Sequence, residues 1–247
     1  MMPAVALIPA RYQASRFPGK PLVPIAGVPM LRRVIEGTRA AKHVREVIVA
    51  TDDPRIAEAC TSFGVTCRMT SSAHATGTDR IAEVAAGLSD AVVVNVQGDE
   101  PLVEGFVIDA LLEALDADPE VPMATVAHPA DAAAREDPNR VKVVLDQRGR
   151  ALYFSRSPIP ATRDPRAGTP ATLQHAGLYA YRRPFLMQVV ELAQTPLERL
   201  EALEQLRALE HGFAIRVAVV EGWRSMPVDV PQDVLAVEAR LREAGRC

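Results

Sequence analysis

The chain has 247 residues, with 28 Lys plus Arg against 31 Asp plus Glu, and its formal charge of −3 argues against a nucleic-acid or membrane-surface protein. Apolar residues make up 48% of it but never run for the roughly 18 uninterrupted positions a membrane span needs, and the length suits one large core with at most a small appendage. Cys60, Cys67 and Cys247 form neither a CxxC pair nor an even disulfide set, and the start MMPAVALIPARY has no basic leader; both features predict a cytoplasmic protein with Cys60 and Cys67 as packing residues.

In chain order, β-branched runs alternate with stretches of helical period. VALIP (5–9) is followed by a helix near 29–42, EVIVAT (46–51) by a helix near 54–63, and AVVVNV (91–96) follows a further helix. Strand, helix, strand repetition predicts a parallel sheet, and AVVVNV, apolar at both alternating positions, reads as a central strand covered on each face. Beyond residue 120 the pattern turns mixed or antiparallel, with strands at 122–127, 140–146, 151–155 and 176–181 and a proline-rich loop at 157–170. PLERLEALEQLRALEHG (196–212) predicts one amphipathic helix carrying Leu197, Leu200, Leu203, Leu206 and Leu209 and ending at Gly212; a strand at 213–220 and a helix at 231–244 follow. No repeat or low-complexity tract interrupts the chain.

The loop after the first strand, ARYQASRFPGKPL (10–22), gathers Arg11, Arg16 and Lys20 between prolines, with Gly19 permitting close backbone approach to a ligand. Ligands of open α/β sheets bind at the carboxyl ends of strands, so the position is favourable for a functional loop. It is neither a Walker A loop, since Ala14 stands at the required glycine and Pro21 follows the lysine, nor a GxGxxG dinucleotide turn. A triphosphate is the counter-charge such a loop fits, with arginines for paired oxygens and lysine as a point charge; a solvated surface loop has the same composition. After the central strand, NVQGDEP (95–101) offers Gln97, Asp99 and Glu100. A carboxylate there suits magnesium, which takes one or two protein carboxylates and completes its shell with phosphate oxygens and water; an ordinary polar turn is the alternative.

Taken together, IPARYQASRFPGKPL, VATDD, HATGTDR, VVNVQGDEPL, PNRVKVVLD, ALYFSRSPIP, HAGLYAYR, PLERLEALEQLRAL and VDVPQD closely resemble the 3-deoxy-manno-octulosonate cytidylyltransferase family, nearly end to end and in the family's order. The resemblance implies an α/β fold, a Rossmann-like nucleotidyltransferase sheet of glycosyltransferase-A type flanked by helices, with a small dimerisation appendage. It implies one domain over 1–247, with 1–120 mainly nucleotide-binding and 121–247 mainly sugar-binding and dimerising. The implied enzyme uses CTP and Mg2+ to activate a 3-deoxy sugar acid for lipopolysaccharide assembly, works as a homodimer, and engages neither nucleic acid nor membrane.

By the same resemblance, Arg11, Arg16 and Lys20 bind the triphosphate, Thr78, Asp79 and Arg80 lie in a nucleotide-contacting segment, and Asp99 and Asp229 bind metal; Arg11, Lys20, Asp99 and Asp229 form the catalytic set. Gln97, Arg156, His175, Tyr179, Glu204 and Gln205 match positions around the sugar acid. Other roles fit the same residues: Arg156 as a surface ion-pair partner, His175 and Tyr179 as core groups on one strand face, Glu204 as a solvated side chain, and Asp229 as a helix N-cap before Pro231. Ala14, Ser15, Phe17, Gln174, Pro227 and Val230 depart from the family's usual residues. A related octulosonate or nonulosonate acceptor, or a sugar-nucleotide-binding module without turnover, are the alternative functions.

Overall fold

The structure is a computed structural model and describes residues 4–13, 17–164, 168 and 171–245. Arg16 and Ala14 of the basic loop lie outside the described residues. The chain divides into two compact units, Met1–Asp109 with Ser225–Cys247, and Ala110–Arg224.

The first unit begins with β1 (Ala4–Ala10), then a small hairpin of β2 (Pro24–Ile25) and β3 (Val28–Pro29), α1 (Met30–Arg39), β4 (Val44–Thr51), α2 (Pro54–Ser62), β5 (Thr66–Met69), α3 (Gly77–Ala86) and β6 (Val92–Asn95). Its sheet order is β6-β1-β4-β5, with every pairing parallel, as the strand–helix alternation predicts. All seven residues of β1 and all four of β6 are buried, because helices cover a parallel sheet on both faces. Helix α1 buries Met30, Leu31, Val34, Ile35 and Thr38, the three- and four-residue spacing that keeps one face inward. Helix α2 is capped by Asp53 with Pro54 behind it, and α3 by a reciprocal bond pair between Thr76 and Asp79. Parallel pairing, with Leu7 opposite Asn95 and Ala10 opposite Thr51, brings the chain ends after β1, β4 and β6 to one edge.

Helix α4 (Gly105–Ala117) leads into the second unit, followed by β7 (Met123–Pro129), α5 (Ala132–Glu136), β8 (Lys142–Leu145), β9 (Ala151–Ser155), β10 (Leu173–Arg182), α6 (Arg183–Val189), α7 (Pro196–Glu201), α8 (Gln205–Glu210) and β11 (Ile215–Val219). Strand β10 is antiparallel to β7 and β8, β8 is antiparallel to β9, and β11 runs parallel to β7. The mixed character expected beyond residue 120 is therefore present. Helix α9 (Pro231–Glu243) belongs to the first unit, where Val237 and Leu241 pack with Ile25, Met30, Leu102 and Val228. Among the described residues no helix is long and apolar enough to cross a membrane.

One expected element is corrected. Residues 196–212 form two short helices, α7 and α8, broken at Ala202, whose φ is 51°. The leucines recur every third residue, so on a straight helix each step would turn the stripe back by about 60° and the five would not share a face. The break buries Leu203 and Leu206 and leaves Leu200 exposed. A buried ion pair, Arg207 Nη2 to Glu198 Oε1 at 2.6 Å, spans the two helices. Gly212, at φ 83°, ends α8 as predicted.

Candidate active site

The site in the first unit grows from the ends of β1 and β6. After β1, Arg11 lines a cavity of about 270 Å³ together with Pro9, Lys20, Gln97, Gly98 and Asp99. The basic loop folds back on itself through the Gly19 N–H donating to the Tyr12 carbonyl at 2.8 Å, and Gly19 sits at φ 75°, where a side chain would be strained. Lys20 follows at once. Its Nζ lies 2.8 Å from Asp99 Oδ2 and 3.3 Å from Asp229 Oδ1. Two carboxylates far apart in the sequence thus converge on one ammonium beside the cavity. Gly98 is required on steric grounds: a Cβ there would meet the Pro9 carbonyl oxygen at 2.8 Å.

Asp229 does not cap α9. The Asp233 carboxylate takes that work, accepting from the Asp229 N–H at 2.7 Å and the Val230 N–H at 2.9 Å. This leaves the Asp229 carboxylate directed to Lys20. The Val228 N–H donates to the Asp99 carbonyl at 2.9 Å, so the two acidic segments run side by side. Among the described residues no group of three His, Cys, Asp or Glu could hold a metal. Two hard carboxylates around a cation position fit magnesium, whose remaining ligands come from substrate and water, and do not make a closed zinc site. Glu100, the next residue, is buried; it accepts from the Ser225 hydroxyl, and burial pushes its carboxyl up to about 8 against the downward pull of that bond.

The TGTDR segment reaches the cavity through Gly77, with Ala75 beside it. Its named side chains serve the fold. Thr78 is buried, and Asp79 accepts from the Thr76 N–H at 2.9 Å as half of the helix cap. Arg80 is fully buried, donating to the Thr70 hydroxyl and pairing with Asp52 at 3.1 Å. Arg11 is pinned to the same segment by donating Nη2 to the Thr76 carbonyl at 3.1 Å.

In the second unit, Tyr179 on β10 donates its hydroxyl to Gln205 Oε1 at 3.2 Å. His175 is 8% exposed, contacts the Thr125 hydroxyl at 2.9 Å through Nε2, and stacks edge-on against Phe154; burial lowers it to about 3, so it is neutral near pH 7. Glu204 stands at the N-cap of α8 beside buried Gln205. Arg156 directs three of its five guanidinium N–H groups to backbone carbonyls, those of Glu201 at 2.7 Å, Pro138 at 3.0 Å and Ala202 at 3.3 Å. It thereby braces the αL turn that breaks the two helices.

Residues 5–217 match the cytidylyltransferase family model. The chain is 51% identical over 98% of its length, and 99% of the relative's, to a 3-deoxy-manno-octulosonate cytidylyltransferase of Syntrophotalea carbinolica. It is 53% identical to one from Syntrophobacter fumaroxidans, covering 96% of both chains. This chain belongs to the 3-deoxy-manno-octulosonate cytidylyltransferase family. A solved CMP:2-keto-3-deoxy-manno-octonic acid synthetase complexed with CTP superposes on it with a TM-score of 0.92 at 42% identity, covering 98% of this chain and 99% of that one. The nucleotidyltransferase architecture implied by the motifs is therefore the architecture found.

Within this family member, two partners escaped the motif reading. Glu201 accepts from the Ser155 hydroxyl at 2.7 Å and from the Arg156 N–H at 3.0 Å, and Ser225 holds Glu100. Glu201 lies on an apparently solvated helix face and Ser225 in an unpatterned stretch, so neither gave a sequence signal.

Proposed function

We propose that the protein transfers CMP from CTP to the anomeric hydroxyl of 3-deoxy-D-manno-octulosonate, forming CMP-KDO and pyrophosphate for lipopolysaccharide biosynthesis, as a cytoplasmic homodimer. The observation that carries this reading is Lys20 held between Asp99 and Asp229 on a cavity that Arg11 also lines. The anomeric hydroxyl loses its proton to solvent as its oxygen bonds to the α-phosphorus, the bond from that phosphorus to the oxygen bridging to the β-phosphate breaks, and pyrophosphate leaves with the electron pair. Such a displacement depends on alignment and on neutralising charge.

In this reading Arg11, Arg16 and Lys20 bind the triphosphate, with Lys20 a point charge kept in place by the two aspartates. The TGTDR segment of Thr78, Asp79 and Arg80 shapes the nucleotide pocket by setting the path of Ala75 and Gly77. Asp99 and Asp229 hold Mg2+, which when bound neutralises phosphate charge and lowers the pKa of the attacking hydroxyl. Gln97 serves in the first unit's cavity with Lys20. In the second unit Arg156, Tyr179, Glu204 and Gln205 serve the sugar acid, with the unengaged N–H groups of Arg156 for its carboxylate and the Tyr179–Gln205 pair for hydroxyls; His175 supports Tyr179, their rings 5.6 Å apart.

The test is pyrophosphate release by the purified protein with Mg2+, each of the four common nucleoside triphosphates, and a panel of octulosonates and nonulosonates. Turnover with CTP and 3-deoxy-D-manno-octulosonate is expected. Binding of CTP with no release on any acceptor would reduce the protein to a nucleotide-binding module.

A further inference from the structure

Glu100 is the one acidic residue of the NVQGDEP turn that the proposed reaction leaves unused. It follows Asp99 directly, yet the two side chains have opposite surroundings: that of Asp99 is 31% exposed beside Lys20, whereas Glu100 is 3% exposed. The Glu100 carboxyl accepts from the Ser225 hydroxyl through Oε1. Leu102, Val228 and Met226 pack in the apolar cluster alongside, so a partner orphaned here would not regain water. Three residues further on, Asp229 presents its carboxylate to Lys20.

Segment 225–229 is thus tied to segment 99–100 at two points, by Glu100 to Ser225 and by the Val228 N–H to the Asp99 carbonyl. Beyond it, Asp233 holds the Asp229 and Val230 amides. Apolar packing alone is non-directional and would let the two segments slide. A buried, directional hydrogen bond sets their register.

Resting on the metal-holding role read above for Asp99 and Asp229, we propose that Glu100 is a positioning residue: through Ser225 it sets the spacing of the two aspartates and hence the affinity for the divalent cation and its nucleotide. It touches neither substrate nor metal. Its influence passes through the backbone of residues 225–229.

The experiment measures Mn2+ binding to the full chain by electron paramagnetic resonance, with a non-hydrolysable CTP analogue, alongside thermal melting of each variant. Glu100→Leu is expected to weaken Mn2+ about tenfold, the size of one lost buried hydrogen bond with its partner left unpaired. Glu100→Gln should stay within about twofold of the original chain, because its amide can accept from or donate to the Ser225 hydroxyl, which works in either sense. Ser225→Ala should weaken Mn2+ severalfold and add nothing further in the Glu100→Leu background.

A purely structural Glu100 would lower the melting temperature and leave Mn2+ affinity unchanged in Glu100→Leu, and that result overturns the proposal. If Glu100→Leu does not fold, unchanged Mn2+ affinity in Ser225→Ala overturns it equally. An unsubstituted chain that binds no Mn2+ with the CTP analogue sinks the metal role of Asp99 and Asp229 together with the proposal. Binding in the original chain with indifferent variants sinks the proposal alone.

Discussion

Lys20 shows how an ion pair can matter to a site and little to stability. With the Asp99 and Asp229 side chains 31% and 41% exposed, its pairs are solvent-screened and contribute at most about 1 kcal/mol to folding. Lys20→Ala and Asp99→Asn should therefore leave the far-ultraviolet circular dichroism and melting temperature nearly unchanged while kcat/KM with CTP falls by about 100-fold or more, a loss within the range known for a single group stabilising transition-state charge. Near-normal turnover in Asp99→Asn would remove it from the site. Gly98→Ala is the converse case: the added methyl meets the Pro9 carbonyl, and a cost of about 1–3 kcal/mol should appear as a lower denaturant midpoint at unchanged m-value. At this scale the sequence showed which residues carry charge at strand ends. It did not show that Asp99 faces Lys20 while Glu100 turns inward, nor that Arg80 is wholly buried, because neighbours in a turn diverge according to what packs against them.

Among the elements, α7 and α8 separate what local pattern specifies from what packing overrides. Thr195, Pro196 and Glu198 mark the start and Gly212 the end, and both boundaries were readable. The break at Ala202 was not, since every residue from 196 to 211 after the proline tolerates a helix. It is stabilised from outside by the Arg156 guanidinium on the Glu201 and Ala202 carbonyls and by the Glu198–Arg207 pair. Ala202→Gly relieves an L-residue at φ 51° and should raise stability by about 0.5 kcal/mol after the entropy cost of glycine, measured by denaturant unfolding. Arg207→Ala leaves the Glu198 carboxylate buried and should cost about 3–5 kcal/mol, with the Glu198→Ala, Arg207→Ala double variant far less damaged than the sum of the two single changes.

For the molecule as a whole, acid should act partly through imidazoles that burial keeps neutral. Desolvation lowers both His175, to about 3, and His128. The unfolded chain binds protons at these sites below about pH 6.5 while the folded chain does not, so stability is full above that pH and is lost as pH falls toward the folded pKa values. Near pH 5, His175→Gln should remove about one proton from the uptake on unfolding, flattening the stability profile by about 1.4 kcal/mol per pH unit. An unchanged slope would mean that His175 is protonated in the folded chain.

By itself the sequence determined the α/β alternation, the parallel first sheet, the mixed second half, the helix end at Gly212, and the placement of Arg11, Lys20 and Asp99 after strands. Each of these depends on periodicity or on residues a few positions apart. Only the tertiary structure decided that Asp229 meets Lys20, that Asp233 rather than Asp229 caps the last helix, that Arg156 braces a turn, and that one leucine-rich segment breaks in two. Those outcomes depend on which groups lie opposite across space, where burial and hydrogen-bond satisfaction outweigh local preference.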